Sequence, residues 1–499
     1  MSACEIIGNT GAEERLTAPT HKHESRSTSD MKPLELSWID VSLLMCLWGL
    51  VLVCSVISLG VAAPTVFLLI ATILIVRNPS NGLLILLLIF YAPAITVGLP
   101  NIFTVTASLV LVRTVLMNPA SLAGLLLRPS RVLLWAGVFV LFVTIQTMFS
   151  DNIMLALTYY KKYLEGIVLL GILSVSIRSS DDLRRVLSWW AIVAGLATLV
   201  KAIHIYMGDD TVLYRTMEKM FANDAFDLEH RIHIRHGGET GRRFLLPGEE
   251  PNYTSAGLAF PFAMALAFYR NSRGSSKIFW TVIAGLTAVA CVGTYSRSGF
   301  LVIALIGGLY LLRGNLAQAV VPLGLLGGVF IAAVTLIPSL HKRIFGIGGA
   351  VQEGATGRFD LWQQAIDMWL ESPVFGSGMS SFYDRYHGAV HNSYLQVLAE
   401  TGLVGFLLYL MVIVTAVRIG QRLHAGVPHA CDSREIELSA MTRAGLIGFC
   451  FMISTVTYQD VKLFWLALGM YAAMFTVSRH ATADQPPPIV SHHRIIGEA

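Results

Sequence analysis

The chain is built from apolar runs of roughly 17–25 residues, the length an α-helix needs to cross the hydrocarbon core of a bilayer at about 1.5 Å per residue. They fall at about 40–58, 60–76, 82–98, 103–117, 132–149, 160–177, 186–206, 254–270, 278–294, 298–312, 317–338, 402–418, 443–458 and 463–478. A soluble fold of this size would need polar faces on most such helices, and the residues for them are missing. Charged side chains make up only 14% of the 499 residues and hydrophobic ones 54%, against roughly 25% charged in soluble domains. The runs predict an all-α, polytopic integral membrane protein with about 12–14 transmembrane helices. The lower figure reflects the tight turn at Gly60 and Pro64 and the presence of Arg113 in the fourth run.

Residues 1–38 are polar and mixed in charge, without the short apolar stretch and cleavage site of a signal peptide, and read as a disordered cytoplasmic tail. Residues 481–499, with Gln485-Pro486-Pro487-Pro488, read as a second. The membrane domain is then 39–480. Lys and Arg favour cytoplasmic connections, and with the N-terminus inside, those connections collect Arg77, Arg128, Arg131, Arg178, Arg184, Arg185, Arg270, Arg273, Lys277, Arg313, Arg418, Arg422 and Arg434. The opposite, periplasmic side receives short turns near Pro100, Asp151 and Tyr295 and two long segments, 207–253 and 339–401.

The net charge of +4 is accounted for by these connections, and no basic patch alternates with aromatics, so nucleic acid is not an expected partner. The six cysteines (Cys4, Cys46, Cys54, Cys291, Cys431, Cys450) show no CxxC or metal-ligand spacing, which argues against a disulfide framework or a zinc site.

The long outer segments carry the chemistry-bearing residues. In 339–401, Phe359, Trp362, Ile366 and Trp369 are spaced three and four apart, as in an amphipathic helix lying at the interface. Pro373 and the glycines Gly376 and Gly378 end it, and a second helix from about Asn392 continues into the run at 402. His391 stands at the start of that helix, with the side-chain type whose unperturbed pKa lies closest to working pH, and suits a general base. His387 and His391 are four apart, but Gly388 weakens a helix there and no third ligand accompanies them, so no metal site is expected.

In 207–253, His230, His233 and His236 alternate with Arg231 and Arg235 and read as a solvated loop rather than a metal or anion site. Gly241-Arg242-Arg243-Phe244, followed by Pro247-Gly248-Glu249-Glu250-Pro251-Asn252-Tyr253, stands directly before a span. Guanidinium groups at a membrane rim suit a diphosphate headgroup, because they bind phosphate oxygens in pairs and keep their charge. Arg297 sits in a short turn between two apolar runs, where a cation is costly without a counter-charge. Lys161, Lys162 and Glu165, at the outer end of the sixth run, either line a cavity or snorkel to the rim, and Lys201 and His204 carry the same two readings.

Together, Thr294-Tyr-Ser296-Arg297-Ser-Gly299, Gly357-Arg358 with Trp362 and Ala365, Pro373-Val-Phe-Gly376-Ser-Gly378, and His391-Asn392-Ser-Tyr394-Leu395 with Glu400-Thr-Gly402-Leu-Val-Gly405 resemble the bacterial O-antigen ligase/polymerase superfamily. The likeness covers about 240–415; elsewhere it is one of hydropathy. It implies a multispan inner-membrane glycosyltransferase that takes a sugar chain from a polyprenyl-diphosphate-linked donor on the periplasmic side, amid membrane lipids, without metal or cofactor. By motif, His391 matches the family's histidine and Arg297 the arginine of a Ser-Arg-Gly turn, here interrupted by Ser298. The upstream arginine matches Arg242 or Arg243, with Arg243 preferred, and Arg358 is next in line for the diphosphate. Asn392, Tyr394, Lys161 and Lys162 are supporting residues.

In the expected reaction His391 takes the proton of an acceptor hydroxyl while the arginines stabilise the departing lipid diphosphate. No carboxylate is an obvious covalent nucleophile, so a single inverting displacement is expected. The acceptor is another repeat unit (a polymerase, slightly favoured), the lipid A core (an O-antigen ligase) or a protein hydroxyl (a protein O-oligosaccharyltransferase). From a different class, a membrane solute transporter would place ionisable pairs near the bilayer midplane.

Overall fold

The computed structural model describes residues 62–77, 79–91, 102–117, 129–207, 233–236, 239–242, 251–313, 356–425 and 433–483, with a few isolated positions between them. In chain order the helices are α1 (Ala62–Arg77), α2 (Pro79–Tyr91), α3 (Ile102–Met117), α4 (Arg131–Met148), α5 (Ile153–Ser176), α6 (Ser180–Met207), α7 (Pro251–Asn271), α8 (Gly274–Gly293), α9 (Arg297–Leu311), α10 (Thr356–Glu371), α11 (Ser381–Tyr386), α12 (Ser393–Ala425), α13 (Ser433–Met452) and α14 (Lys462–Ala483). One antiparallel hairpin, β1 (His233–His236) with β2 (Glu239–Arg242), pairs His233 with Arg242 and His236 with Glu239. The alternation of His and Arg that reads as loop in the sequence is thus a short β-ribbon, and it is the one departure from all-helical structure among the described residues.

Most apolar runs coincide with a helix within a few residues. The run at 40–58, the tail 1–38 and, apart from isolated positions, the run at 317–338 lie outside the described residues. The run at 443–458 is corrected: α13 ends at Met452, and 453–461 forms a polar connection. The sequence carries the reason, since Ser454 and Thr455 offer hydroxyls that compete for backbone hydrogen bonds, and their Oγ atoms donate to the Phe451 and Met452 carbonyls (2.7 and 2.9 Å). At the C-terminal end, α14 runs to Ala483, slightly into the expected tail.

That the protein is a polytopic membrane protein follows from what its outer helices present outward. On α4, Val132, Ala136, Phe139, Val140 and Val143 face inward, while Leu134, Val138, Leu141 and Ile145 form an exposed stripe on the other side. On α8, Ile283, Ala284 and Cys291 are buried and Ile278, Val282 and Val289 are exposed. A helix apolar on both faces is stable where its solvent is lipid. By length and hydropathy α4, α8 and the stretch Ser393–Ile419 of α12 can each cross a bilayer, and shorter apolar stretches lie in α2, α3, α9 and α14.

Two helices occupy the centre. In α7 nearly every side chain from Thr254 to Ala267 is buried, and in α14 all those from Leu463 to Met474 are. Lipid gives little hydrophobic drive to hold helices together, so close contact and hydrogen bonds must do so. Gly166 of α5 lies against the Trp465 ring of α14, and Gly469 of α14 lies against Leu173 of α5, so any Cβ at either glycine would collide. Tyr91 Oη donates to the Gly257 carbonyl (2.6 Å) and accepts from Trp190 Nε1 (2.9 Å), tying α2, α6 and α7. Bonds of this kind contribute about 0.6–2 kcal/mol each in membranes.

The connections sort to two ends of the bundle. At one, Arg185 Nη2 donates to Asn81 Oδ1 (2.6 Å), Arg270 pairs with Glu437 (3.2 Å) and donates to the Arg313 carbonyl (2.9 Å). At the other, Ser150 Oγ donates to the Met379 carbonyl (2.9 Å), Asn152 Nδ2 donates to Asp384 Oδ1 (2.7 Å), and the Ser393 amide donates to the Ile453 carbonyl (2.8 Å). The arginine-rich connections and the motif-bearing ones therefore occupy opposite ends.

α12 is broken at Gly402, whose φ of 64° and ψ of −169° suit glycine alone. The break frees the Leu403 and Val404 amides, which donate to the Pro373 and Val374 carbonyls (2.9 and 3.1 Å). A Cβ on Gly402 would collide with the backbone of Val374 and Gly376. Gly402→Ala is expected to cost at least about 1–3 kcal/mol and to lower the thermal unfolding midpoint of the detergent-solubilised protein by several degrees. Gly285→Ala, where no atom lies within 4 Å, is the comparison and should leave the midpoint unchanged or raise it.

Candidate active site

Between α10 and the start of α12 the chain builds a small second core of Ala365, Met368, Phe382, Val390 and Ala399, flanked by Leu361, Trp362, Tyr386 and Leu395. The inward face of α10 is therefore Leu361, Trp362, Ala365 and Met368. Of the stripe expected from spacing only Trp362 borders this core; Phe359 is 61% exposed. Arg385 of α11 pairs with Glu371 at the end of α10 (2.7 Å), and that carboxylate holds the guanidinium above its usual range.

Val390 anchors the turn that carries His391. The His391 backbone is left-handed (φ 55°), a conformation that costs a non-glycine residue of order 1 kcal/mol or more. Side-chain hydrogen bonds hold it there. The His391 amide donates to Thr457 Oγ1 (3.0 Å), and Thr457 Oγ1 donates to Gln396 Oε1 (3.0 Å). Gln396 Nε2 in turn donates to Glu400 Oε1 (3.1 Å). Thr457, Gln396 and Glu400 are all buried. Asn392 caps α12 by accepting from the Tyr394 and Leu395 amides, and Tyr394 Oη donates to the Cys450 carbonyl (3.0 Å). Ser393 Oγ accepts from the Tyr458 amide (2.8 Å), completing the dock onto the 453–461 connection.

Arg297 opens α9. Ser296 caps the helix by accepting from the Gly299 amide (3.2 Å) while its Oγ donates to Asn252 Oδ1 (2.6 Å), and Ser298 Oγ joins at 3.0 Å. Ser298, which interrupts the motif in sequence, thus belongs to the same polar cluster. A Cβ on Gly299 would press on Ser255 Oγ, so the helix start is held tightly on α7. Arg297 is exposed and, among the described residues, makes no salt bridge. A cation at a helix N-terminus sits against the positive end of the macrodipole, so the guanidinium and that helix end together favour an arriving anion.

The two turns meet through the 453–461 connection. Tyr458, whose amide is held by Ser393, packs its ring against Tyr253 in a tilted arrangement (centroids 5.3 Å apart), next to the Asn252 that receives Ser296. The four non-glycine residues with left-handed backbone among the described residues, Tyr295, Ser380, His387 and His391, all lie at this end. Strain of this kind gathers where surrounding structure enforces a particular geometry.

The remaining sequence-predicted residues are less closely joined. Lys162 is pinned to Asp460 (2.8 Å) and lies 4.3 Å over the Tyr159 ring; Lys161 approaches Glu165 (3.9 Å), which Lys462 also binds (3.0 Å). These charges are paired with one another, with α14 and with the connection before it. Arg358 is partly exposed in the first turn of α10. Arg242 ends β2, and Arg243 lies outside the described residues, as do His230 and Arg231. Among the described residues no group of three His, Cys, Asp or Glu side chains is gathered for a metal, and Cys291 and Cys450 are free thiols.

Sequence reasoning missed Asn252, Gln396, Thr457 and Tyr458. For Thr457 and Tyr458 the only signal is polarity at the end of an apolar run, where Gln459 and Asp460 follow, whereas Asn252 and Gln396 lie in the outer segments with no local pattern that marks them.

Residues 281–410 match the family model described as O-antigen ligase, so the resemblance to the O-antigen ligase/polymerase superfamily holds over the segment with Arg297, Arg358 and His391. The exopolysaccharide production protein ExoQ of Rhizobium meliloti is 29% identical over 193 residues, covering 33% of this chain and 42% of that protein. A protein of Haemophilus influenzae named only as uncharacterised is 31% identical over 75 residues, 12% of this chain and 19% of its own length. The chain thus spans less than half the length of either relative.

Because the Thr457 hydroxyl accepts the His391 amide, Thr457→Val should raise hydrogen–deuterium exchange at that amide by about tenfold, the loss of one buried bond of about 1.5 kcal/mol. Thr457→Ser should exchange as the parent does.

Proposed function

Starting from the O-antigen ligase/polymerase likeness of residues 281–410, we propose that this protein is an inner-membrane glycosyltransferase. It transfers a polyprenyl-diphosphate-linked glycan to an acceptor sugar hydroxyl on the periplasmic side, with both termini cytoplasmic. The observation that carries the reading is the convergence, through Thr457 and Tyr458, of a strained turn bearing His391 and a helix start bearing the exposed Arg297.

The chemistry needs both. A sugar hydroxyl is a weak nucleophile, and a base that takes its proton as its oxygen bonds to the anomeric carbon accelerates the step typically about 10²–10⁴-fold. His391 is that base. As the new bond forms, the bond from the anomeric carbon to the diphosphate oxygen breaks, and the lipid diphosphate leaves with the electron pair. Arg297, the amides at the start of α9, Arg243 or Arg242, and Arg358 stabilise that growing charge. The carboxylates Glu400 and Asp460 are engaged by Gln396 and Lys162, which supports a single inverting displacement over a covalent glycosyl intermediate. Likeness to a protein named for exopolysaccharide production favours another repeat unit as acceptor, hence a polymerase, over the lipid A core of a ligase.

Glycan transfer in proteoliposomes supplied with lipid-diphosphate oligosaccharide tests this. His391→Ala should lower the rate by about 10²–10⁴ and Arg297→Ala by about 10²–10³, with insertion and purification as for the parent. Products of many repeat units identify a polymerase, and a single transfer to lipid A core a ligase. Full activity in both variants overturns the assignment, and solute flux without glycan change points to a transporter.

A further inference from the structure

Phe359, Ile366 and Leu370 are seven and four residues apart and so return to one side of α10, away from the small core. Phe359 is 61% exposed and Leu370 61%, and beyond the helix Val374 (52%) and Phe375 (60%) extend the same apolar surface. One flank of this stripe is polar: Asp360, Gln363 and Asp367 are exposed, and Gln363 Nε2 donates to Asp367 Oδ1 (2.8 Å). Along the stripe Trp369 keeps its indole N–H on the Pro373 carbonyl (3.0 Å).

What covers this surface is indicated by its attachment. The Pro373 and Val374 carbonyls accept from the Leu403 and Val404 amides, at the point where α12 resumes after Gly402. From there α12 shows its own outward apolar stripe, with Leu403 and Leu407 about half exposed and Val414 following. On a helix long and apolar enough to span, that stripe faces acyl chains. The Leu370–Phe375 surface is continuous with it.

We propose that Phe359, Ile366, Leu370, Val374 and Phe375 form an interfacial anchor that enters the acyl chains of the bilayer beside α12. In this arrangement α10 lies along the membrane surface, its stripe down in lipid and its Asp360–Gln363–Asp367 flank in water, as interfacial helices do. The partner is the lipid surface itself. Because the small core that α10 supports includes Val390, the anchor also fixes the height of the His391 turn above the bilayer. The proposal is independent of the reaction and rests only on the membrane character of the fold.

Site-specific photocrosslinking tests it on the full-length protein. A benzophenone-bearing phenylalanine analogue is placed at Phe375, Leu370, Leu407 or Asp367, and each protein is reconstituted in phosphatidylethanolamine/phosphatidylglycerol vesicles and illuminated. Phospholipid adducts, read by mass spectrometry, are expected at positions 375 and 370 at a yield within about twofold of that at Leu407, and at a several-fold lower yield at Asp367. Adducts at 407 but not at 370 and 375, equal labelling at 367, or crosslinks from 370 and 375 to another segment of this chain would each overturn it. Replacing one exposed aromatic ring by a larger one leaves the fold intact, so loss of folding does not cloud the result at Phe375.

Discussion

A bilayer core offers no water to hydrogen-bond a peptide group, and each group left unsatisfied there costs several kcal/mol. That constraint explains why the described part of this protein is helical across its apolar segments and irregular only where they end. It also fixes where chemistry can sit. The breaks that free backbone groups, at Tyr295, at Gly376 and Gly402 and at the 390–392 turn, collect at one end of the bundle, where other segments can satisfy them.

The satisfaction is mutual. The gap in α12 at Gly402 is filled by carbonyls from 373 and 374, and the loop that supplies them leans on a core containing Val390. The turn after Val390 is fastened to the 453–461 connection by Thr457, Gln396 and Ser393. That connection reaches α7 through Tyr458 and Tyr253, and α7 holds the start of α9 through Asn252. His391 and Arg297, far apart in sequence, are thereby set on a shared frame, the kind of preorganisation that the proposed reaction would draw on.

The pairing of Lys162 with Asp460 and of Lys462 with Glu165 adds to the same frame. Charges near the end of a bundle are costly unless matched, and here each side chain ties α5 to α14 or to the connection before it. Two opposed pairs of this kind keep α5 in register with the 453–461 connection and with the start of α14.

The class of fold, most helix positions, the collection of arginine-rich connections at one end of the bundle, and His391 and Arg297 as the residues to test can all be read from the sequence. These are legible because hydrophobic length, charge sidedness and short local motifs act within a few residues of one another. Tertiary structure alone decided the rest. It ended α13 at Met452, turned 233–242 into a hairpin, and put Ala365 and Met368 rather than Phe359 into the small core. It also made partners of His391, Thr457 and Gln396, and of Ser296 and Asn252. Those outcomes depend on which distant segments meet, and a polar side chain such as Thr457 has no meaning as a strut until the turn it holds has been brought to it.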